Sequence, residues 1–444
     1  MRIFVSRLFN KTLTQNISNN SHYGFDYKTF FYNLIEAKRA DNSYRVFKKI
    51  SRSQAMFPVA QESSHGKQNI TIWCSNDYLD LSMHPEVIEA ITAAVKKHGS
   101  GSGGSRSISG NSPYHEELEM QLAKYHQKEA ALVFSSGFVA NDTALYTLGK
   151  QLPGVHYFSD SGNHSSMITG IRNSGAHKHV FRHNDPKHLE EQLRHVAVDI
   201  PKIVVFETIH SMDGSIAPAE EMCDVAHKYG AITFVDEVHA VGMYGPTGAG
   251  IGQRDGCVHK MDIISSTLGK AFGQMGGYIT GDRDVIDAVR SYGNGFIFTT
   301  ALPPHVMAGC LTSLKILQGQ EGRELREKLH KNVVYMKKEL SLEKIPVIPG
   351  TSHVVPVIVG DAKASTRLSN DLIRRFGIYV QPINYPSVPK GTERLRVAPT
   401  PSHSTLMIDR FVESLSTLWK EYYLPLLDHP EESKHGDIQM LSHQ

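Results

Sequence analysis

The middle of the chain alternates short apolar runs with amphipathic ones, and this alternation restricts the possible fold more than any other feature. KIVVFETI (202–209) is rich in β-branched and aromatic residues, and PAEEMCDVAHKYG (218–230) follows with Pro at its start and Gly at its end, the punctuation of a helix. Met222, Val225, Ala226 and Tyr229 recur there at three- and four-residue spacing, so one face of that helix packs on a sheet. AITFVDEV (231–238) is apolar almost throughout, as a strand covered on both faces requires. DIISSTL (262–268) and GGYIT (276–280) continue the series. Strands separated by helices imply an α/β fold with a parallel or mostly parallel sheet and right-handed crossovers.

The flanks differ from this middle. Residues 26–50 read as a helix followed by extended chain, and from about Leu302 the pattern changes to a long amphipathic helix (LREKLHKNVVYMKKEL) and then HVVPVIVG, SNDLIRRFG, IYVQPI and RLRVAPT. A chain of 444 residues exceeds what one small core needs. The expected division is an N-terminal segment (26–75), a large domain (76–301), a small α+β domain (302–425) and a polar tail (426–444). Residues 1–25 carry Arg2, Arg7 and Lys11 but no acidic residue before Asp26, and Phe4, Leu8, Phe9 and Leu13 fall at helix-like spacing. That is the pattern of a mitochondrial transit peptide, with the mitochondrial matrix as the expected destination; the alternative is a disordered basic tail.

Composition excludes several classes of partner. A net charge of +2 gives no broad electrostatic reason to expect nucleic acid. No apolar run approaches the roughly 18 residues of a membrane span. The four cysteines (Cys74, Cys223, Cys257, Cys310) show neither a CxxC pair nor metal-ligand spacing, so free thiols and no metal are expected.

Candidate chemistry collects at predicted strand ends. Asp236, in DEVHAVG, closes a buried strand, where ligands bind in open α/β sheets. A carboxylate there needs a positive partner. With His239 it could form part of a metal pair, though no third ligand is spaced nearby; it could cap a turn; or it could meet a protonated pyridine nitrogen. Lys270 follows 34 residues later in SSTLGKAFGQMGG, among small and apolar residues. Burial would lower its pKa and free its lone pair for a Schiff base, although a lysine can also snorkel from a strand end. Ser135, Ser136 and Gly137 open a predicted helix in VFSSGFVANDTAL, which suits a phosphate at its N-terminus; Phe138 comes next. Gly99, Gly101 and Gly104 satisfy GxGxxG, but the preceding PEVIEAITAAVKKH reads as a helix, whereas the dinucleotide fingerprint requires a strand.

WCSNDYLDLSMHPEV, GSGGSRSISGNSPYHEELE, FSSGFVANDTAL, DSGNHSSMITGIRNS, ETIHSMDGSIAP, DEVHAVGMYG, STLGKAFG, FIFTTALPP and GTERLRVAPTP together resemble the α-oxoamine synthases over roughly residues 26–420. The resemblance implies a type I pyridoxal 5′-phosphate (PLP)-dependent aminotransferase fold with a seven-stranded, mostly parallel large-domain sheet, in a homodimer with shared active sites. It makes Lys270 the Schiff-base lysine and Asp236 the partner of the pyridine nitrogen. His239 and Ser211 would bond the phenolic oxygen and His164 would stack on the ring. Gly137, Phe138 and Thr267 would hold the phosphate, with Thr299 and Thr300 reaching it from the other subunit. Asn76 and Arg396 match the residues for glycine and its carboxylate, Arg45 the arginine for a succinyl carboxylate, and Ser159 and Lys178 the CoA contacts. Ser105 and Ser387 stand where the family usually has Thr. Ser107 replaces the usual Asn and has a shorter reach, which bears on substrate positioning. Ser165 and Ser266 replace the usual Ala and Gly. The implied reaction is condensation of glycine with succinyl-CoA to give 5-aminolevulinate, CoA and CO2, the first step of haem synthesis. The alternatives are an α-oxoamine synthase using another acyl-CoA, or a PLP-fold regulatory subunit without turnover.

Overall fold

The computed structural model describes residues 24–427 apart from 42 and 65; the stretch expected to be a transit peptide lies outside the described residues up to 23, as does the polar tail from 428. The first described element is the helix Tyr27–Ala40, capped by the Asp26 side chain, which accepts from the Thr29 N–H. The chain then runs extended into a small antiparallel meander, β1 (Ile50–Arg52), β2 (Val59–Glu62) and β3 (Gln68–Ile72).

The large sheet is built from β4 (Ala130–Phe134), β5 (His156–Asp160), β6 (His177–Phe181), β7 (Lys202–Glu207), β8 (Ile232–Asp236), β9 (Ile263–Thr267) and β10 (Gly277–Gly281). Its order is β4-β10-β9-β8-β7-β5-β6. Only β10 runs antiparallel to its neighbours, β4 and β9; the remaining pairings are parallel. All six residues of β7 are buried, and apolar side chains fill both sides of the sheet. Burial of each large apolar side chain contributes roughly 1.5–3 kcal/mol, so the strand ends are held rigidly. The expected helix after β7 spans Ala219–Lys228 with Pro218 at its N-cap. A helix, Pro85–His98, precedes Gly99, which is the arrangement a dinucleotide fingerprint does not have.

Toward the C-terminus come the helix Gln320–Leu342, β11 (Val355–Ile358), the helix Ala362–Phe376, β12 (Ile378–Tyr379), β13 (Gln381–Ile383) and β14 (Arg394–Val397). A three-stranded sheet has the order β11-β14-β13. β12 pairs in parallel with β3, so the N-terminal segment and the C-terminal part share one sheet. That pairing sets the segment around residue 76 beside Arg396 of β14.

Candidate active site

The carboxyl ends of β7, β8 and β9 carry Glu207, Asp236 and Thr267 onto one cavity of about 340 Å³. Lys270, three residues beyond β9, lines it with His239, His164, Ser211, Asn76 and Arg396. Asp236 is 4% exposed. Its Oδ1 accepts from the Val238 N–H at 2.8 Å and its Oδ2 from Asn141 Nδ2 at 2.7 Å. Burial raises the pKa of this carboxyl, an effect opposed by those hydrogen bonds and by the Lys270 charge. Glu207 lies in register beside it on β7; burial and the adjacent Asp236 push the Glu207 pKa up to about 8. Two carboxylates this close do not both ionise freely.

Lys270 Nζ is 3.1 Å from His239 Nε2. Burial lowers the lysine pKa to about 8, against the attraction of Asp236. Burial also drives the His239 pKa well below its ordinary value, with Lys270 and Arg396 adding to the effect, so its ring is neutral and carries a single N–H. The hydrogen bonds around it couple its tautomer to the charge on Lys270. Arg396 Nη2 donates to Tyr78 Oη at 2.8 Å, and Tyr78 Oη lies 2.8 Å from His239 Nδ1. Arg396 has no lone pair to offer. When Lys270 is the free amine, Tyr78 donates to Nδ1 and His239 Nε2–H donates to that amine. Arg396 also donates from Nε to the Ser211 carbonyl at 2.9 Å and from Nη1 to Asn76 Oδ1 at 3.3 Å.

Opposite the lysine, the helix Gly137–Gln151 begins at the cavity wall, with Ser136 as N-cap accepting from the Val139 N–H. A Cβ added at Gly137 would sit 3.1 Å from Thr267 Cβ, so glycine keeps this cradle open for a ligand to approach the backbone. Amide donors at a helix start, a carboxylate 4% exposed and a lysine with lowered pKa face one enclosed space. That donor set fits PLP, which presents a phosphate, a ring nitrogen and an aldehyde.

The Aminotransferase class I and II family model matches residues 68–415. The erythroid-specific mitochondrial 5-aminolevulinate synthase of Delphinapterus leucas is 55% identical over 94% of this chain and 72% of its own. The human protein of the same name is also 55% identical, over 94% and 72%. The chain belongs to the 5-aminolevulinate synthase family. It is accordingly a PLP-dependent acyltransferase of haem biosynthesis, and the relatives just described are named mitochondrial. Among solved structures, the serine palmitoyltransferase of Sphingomonas wittichii superposes with a TM-score of 0.83 at 27% identity, covering 90% of this chain and 100% of that one. The 8-amino-7-oxononanoate synthase of Francisella tularensis shares the fold, with a TM-score of 0.68 at 24% identity over 80% and 99% of the two chains. The type I aminotransferase fold expected from the sequence is the fold observed.

Within this enzyme the expected site residues fall into three groups. Asn76, Gly137, Phe138, His164, Ser211, Asp236, His239, Thr267, Lys270 and Arg396 share the cavity. Arg45 and Ser387 lie apart from that lining but meet each other, Arg45 Nη2 donating to Ser387 Oγ at 3.1 Å. The remainder stand away from the cavity of their own chain. Thr299 and Thr300 border a second, small cavity with Arg106, Ser105 bridges to Thr300, Ser159 accepts from Asn163 on β5, and Lys178 is exposed on β6.

The sequence reading missed Asn141, Tyr78 and Glu207. Asn141 also accepts from Ser265 Oγ at 2.5 Å. It is a buried amide one turn after Gly137 on a helix that also buries Ala140, Thr143, Ala144, Leu145, Thr147 and Leu148, and an amide at that depth was the available signal. Glu207 accepts from the His164 N–H at 2.7 Å, a contact no local pattern announces.

Proposed function

We propose that the enzyme condenses glycine with succinyl-CoA, releasing CoA and CO2 and yielding 5-aminolevulinate. The observation that carries this reading is the donor chain from Arg396 through Tyr78 and His239 to the amine of Lys270. It keeps a nucleophilic, basic nitrogen beside a guanidinium able to hold a substrate carboxylate. When bound, PLP supplies an aldehyde that joins to amines and a ring that takes up the electrons of a carbanion.

The roles of the residues follow from their placement. Lys270 Nζ would anchor the cofactor and, once released, accept the glycine α-proton. Asp236, already bonded at both oxygens by Val238 and Asn141, would pair with the ring N–H. His239 and Ser211 would serve the phenolic oxygen, and His164 would cover the ring, its backbone held by Glu207. Gly137, Phe138 and Thr267 would take the phosphate. Arg396 and Asn76 would hold the glycine carboxylate, while Arg45 and Ser387 would hold the succinyl carboxylate. Ser159 and Lys178 are assigned to CoA and Ser105 to the acyl substrate by resemblance alone.

Thr299 and Thr300 do not line their own chain's cavity, which suits a contribution to the phosphate site of a second copy in a homodimer. Residues 1–25 would direct the chain to the mitochondrial matrix, leaving an N-terminal segment (26–75), a large domain (76–301) and a small domain (302–425) as the folded parts.

The test is an assay of purified protein with glycine and a panel of succinyl-, acetyl-, butyryl- and long-chain acyl-CoA. Succinyl-CoA should be used most efficiently. Preference for an acyl group without a distal carboxylate would assign the chain a different acyl substrate, and no turnover with any of them would overturn the reading.

A further inference from the structure

Outside the cofactor cavity, His183, His210 and Asp213 each bring one ligand-type atom to within 4.8 Å of the others. They come from two turns, one after β6 and one after β7. In both histidines the far nitrogen is committed. His183 Nδ1–H donates to Asp160 Oδ1 at 2.7 Å, and Asp160 is 3% exposed. His210 Nε2–H donates to the Gly162 carbonyl at 2.5 Å. Each ring therefore turns a lone pair inward, Nε2 from His183 and Nδ1 from His210. These point at Asp213, whose Oδ2 lies 3.8 Å from the first and Oδ1 3.1 Å from the second. A carboxylate or carbonyl behind each imidazole, fixing its tautomer, is the outer-shell arrangement of metal-ligating histidines.

We propose that His183, His210 and Asp213 form a site for one divalent transition-metal ion of the zinc class. Bonds of about 2.0–2.2 Å in a tetrahedron put neighbouring ligand atoms roughly 3.4 Å apart; His210 Nδ1 is 3.1 Å from Asp213 Oδ1, His183 Nε2 is 3.8 Å from the other oxygen of that carboxylate, and one atom from each residue lies within 4.8 Å of the others. Ser215 Oγ, 2.8 Å from both His183 Nε2 and Asp213 Oδ1, is the nearest fourth group, with water as the alternative. Two imidazoles and one carboxylate suit zinc, cobalt or nickel better than magnesium or calcium. The side chains are 30%, 14% and 30% exposed, so an ion can reach them. The approach of His210 Nδ1 to Asp213 Oδ1 demands a positive charge between two acceptors. Without metal that charge is a proton on His210. Glycine at 162 is what lets the rings close, since a Cβ there would meet His183 Nδ1 at 2.7 Å and His210 Nε2 at 3.0 Å. An ion in this place would tie the turn after β6 to the turn carrying Ser211, a residue of the cofactor cavity, and the two rings reach back to Asp160 and Gly162 on the turn leading to His164.

The test uses the PLP-loaded full chain, stripped with a chelator at slightly alkaline pH and titrated with Zn2+, Co2+ and Mg2+ by calorimetry. One Zn2+ per chain should bind and raise the Tm, since a ligand held only by the folded state stabilises it. Co2+ should give the visible absorption of a four-coordinate ion, and Mg2+ should leave both readouts unchanged. His183→Gln and Asp213→Asn should each weaken Zn2+ at least tenfold, with folding checked by circular dichroism. Absence of stoichiometric Zn2+ binding, equal affinity for Mg2+, or affinity undiminished in both variants would overturn the site. The wild-type Co2+ spectrum decides on its own should either variant fail to fold.

Discussion

Asp236, His239 and Arg396 are 4–6% exposed, while Arg45 and Ser387, which meet across 342 residues of sequence, lie in the open. The first group stands on strands or just past their ends, where the sheet hydrogen bonds and the packed core leave each side chain little freedom. The second group hangs from an extended N-terminal segment and a loop between β13 and β14. Chemistry common to a whole family belongs on the rigid floor, where geometry is kept within fractions of an ångström. Choice of acyl group belongs on the rim, where a change of one side chain disturbs nothing else. Floor substitutions should therefore lower turnover for every acyl-CoA alike, and rim substitutions should change the ratio between acyl-CoAs.

The largest effect is expected at Lys270. Lys270→Ala would remove both the proposed covalent anchor and the proposed proton acceptor, so 5-aminolevulinate formation should fall by at least ~10²–10⁴-fold, the usual scale of a general base. The phosphate cradle at Gly137 is separate, so PLP should still bind but be lost on dialysis. Product formation at the unmutated rate would show that the floor works through another group.

Asp236→Ala comes next. Breaking a buried charge pair typically costs about 3–5 kcal/mol, and that loss should fall on the step that removes the glycine α-proton. Exchange of this proton into deuterated buffer, followed by NMR, reads it directly, with a decrease of roughly 10²- to 4 × 10³-fold expected at 1.4 kcal/mol per tenfold. Unchanged exchange would make the carboxylate structural.

At the rim, Arg45→Leu should cost succinyl-CoA about ten- to a hundredfold in kcat/KM, the scale of roughly 1.5–3 kcal/mol for hydrogen bonds to charged groups. Butyryl-CoA, with no carboxylate to lose, should be harmed less. An unchanged succinyl/butyryl ratio would remove the distinction between rim and floor. A drop in Tm with equal losses on both substrates would assign Arg45 to fastening the N-terminal segment.

The same contrast accounts for what was legible in the sequence. β7, β8 and β9 announce themselves as apolar runs, and they end at Glu207, Asp236 and Thr267, within two residues of the expected ends. The reversed direction of β10 was not legible, because GGYIT reads alike in either direction and only its pairing with β4 and β9 sets its sense. Lys270 and Asp236 stood out because charged residues in apolar surroundings need a reason. Tyr78 and Asn141 did not, since each is an ordinary residue made functional by a partner more than 90 positions away. The pairing of β12 with β3, which sets Asn76 beside Arg396, is similarly long-range.

The smallest effect tests how the floor is tuned. In the chain Arg396–Tyr78–His239–Lys270, the Tyr78 O–H donating to Nδ1 favours the tautomer in which His239 presents its Nε2–H to the lysine. That hydrogen bond is satisfied when Lys270 is the free amine, the form that attacks an aldehyde. With the lysine pKa lowered to about 8 by burial, the free amine grows as pH rises and is half-formed near pH 8. The rate at which PLP-free enzyme takes up PLP, followed by absorbance, should therefore climb with pH through a midpoint near 8 and level off above it. Tyr78→Phe deletes one link without opening a cavity. His239 can then carry its proton on either nitrogen and can accept from a protonated lysine, which favours the charged amine. The midpoint should move upward, by no more than about one pH unit, because a single hydrogen bond contributes about 1 kcal/mol and one unit corresponds to 1.36 kcal/mol. Since the lysine serves every acyl-CoA, the succinyl/butyryl ratio should stay constant in this variant while the pH midpoint moves. A ratio that changed with the midpoint would place Tyr78 at the acyl end of the site, and an unmoved midpoint would mean that desolvation alone sets the amine.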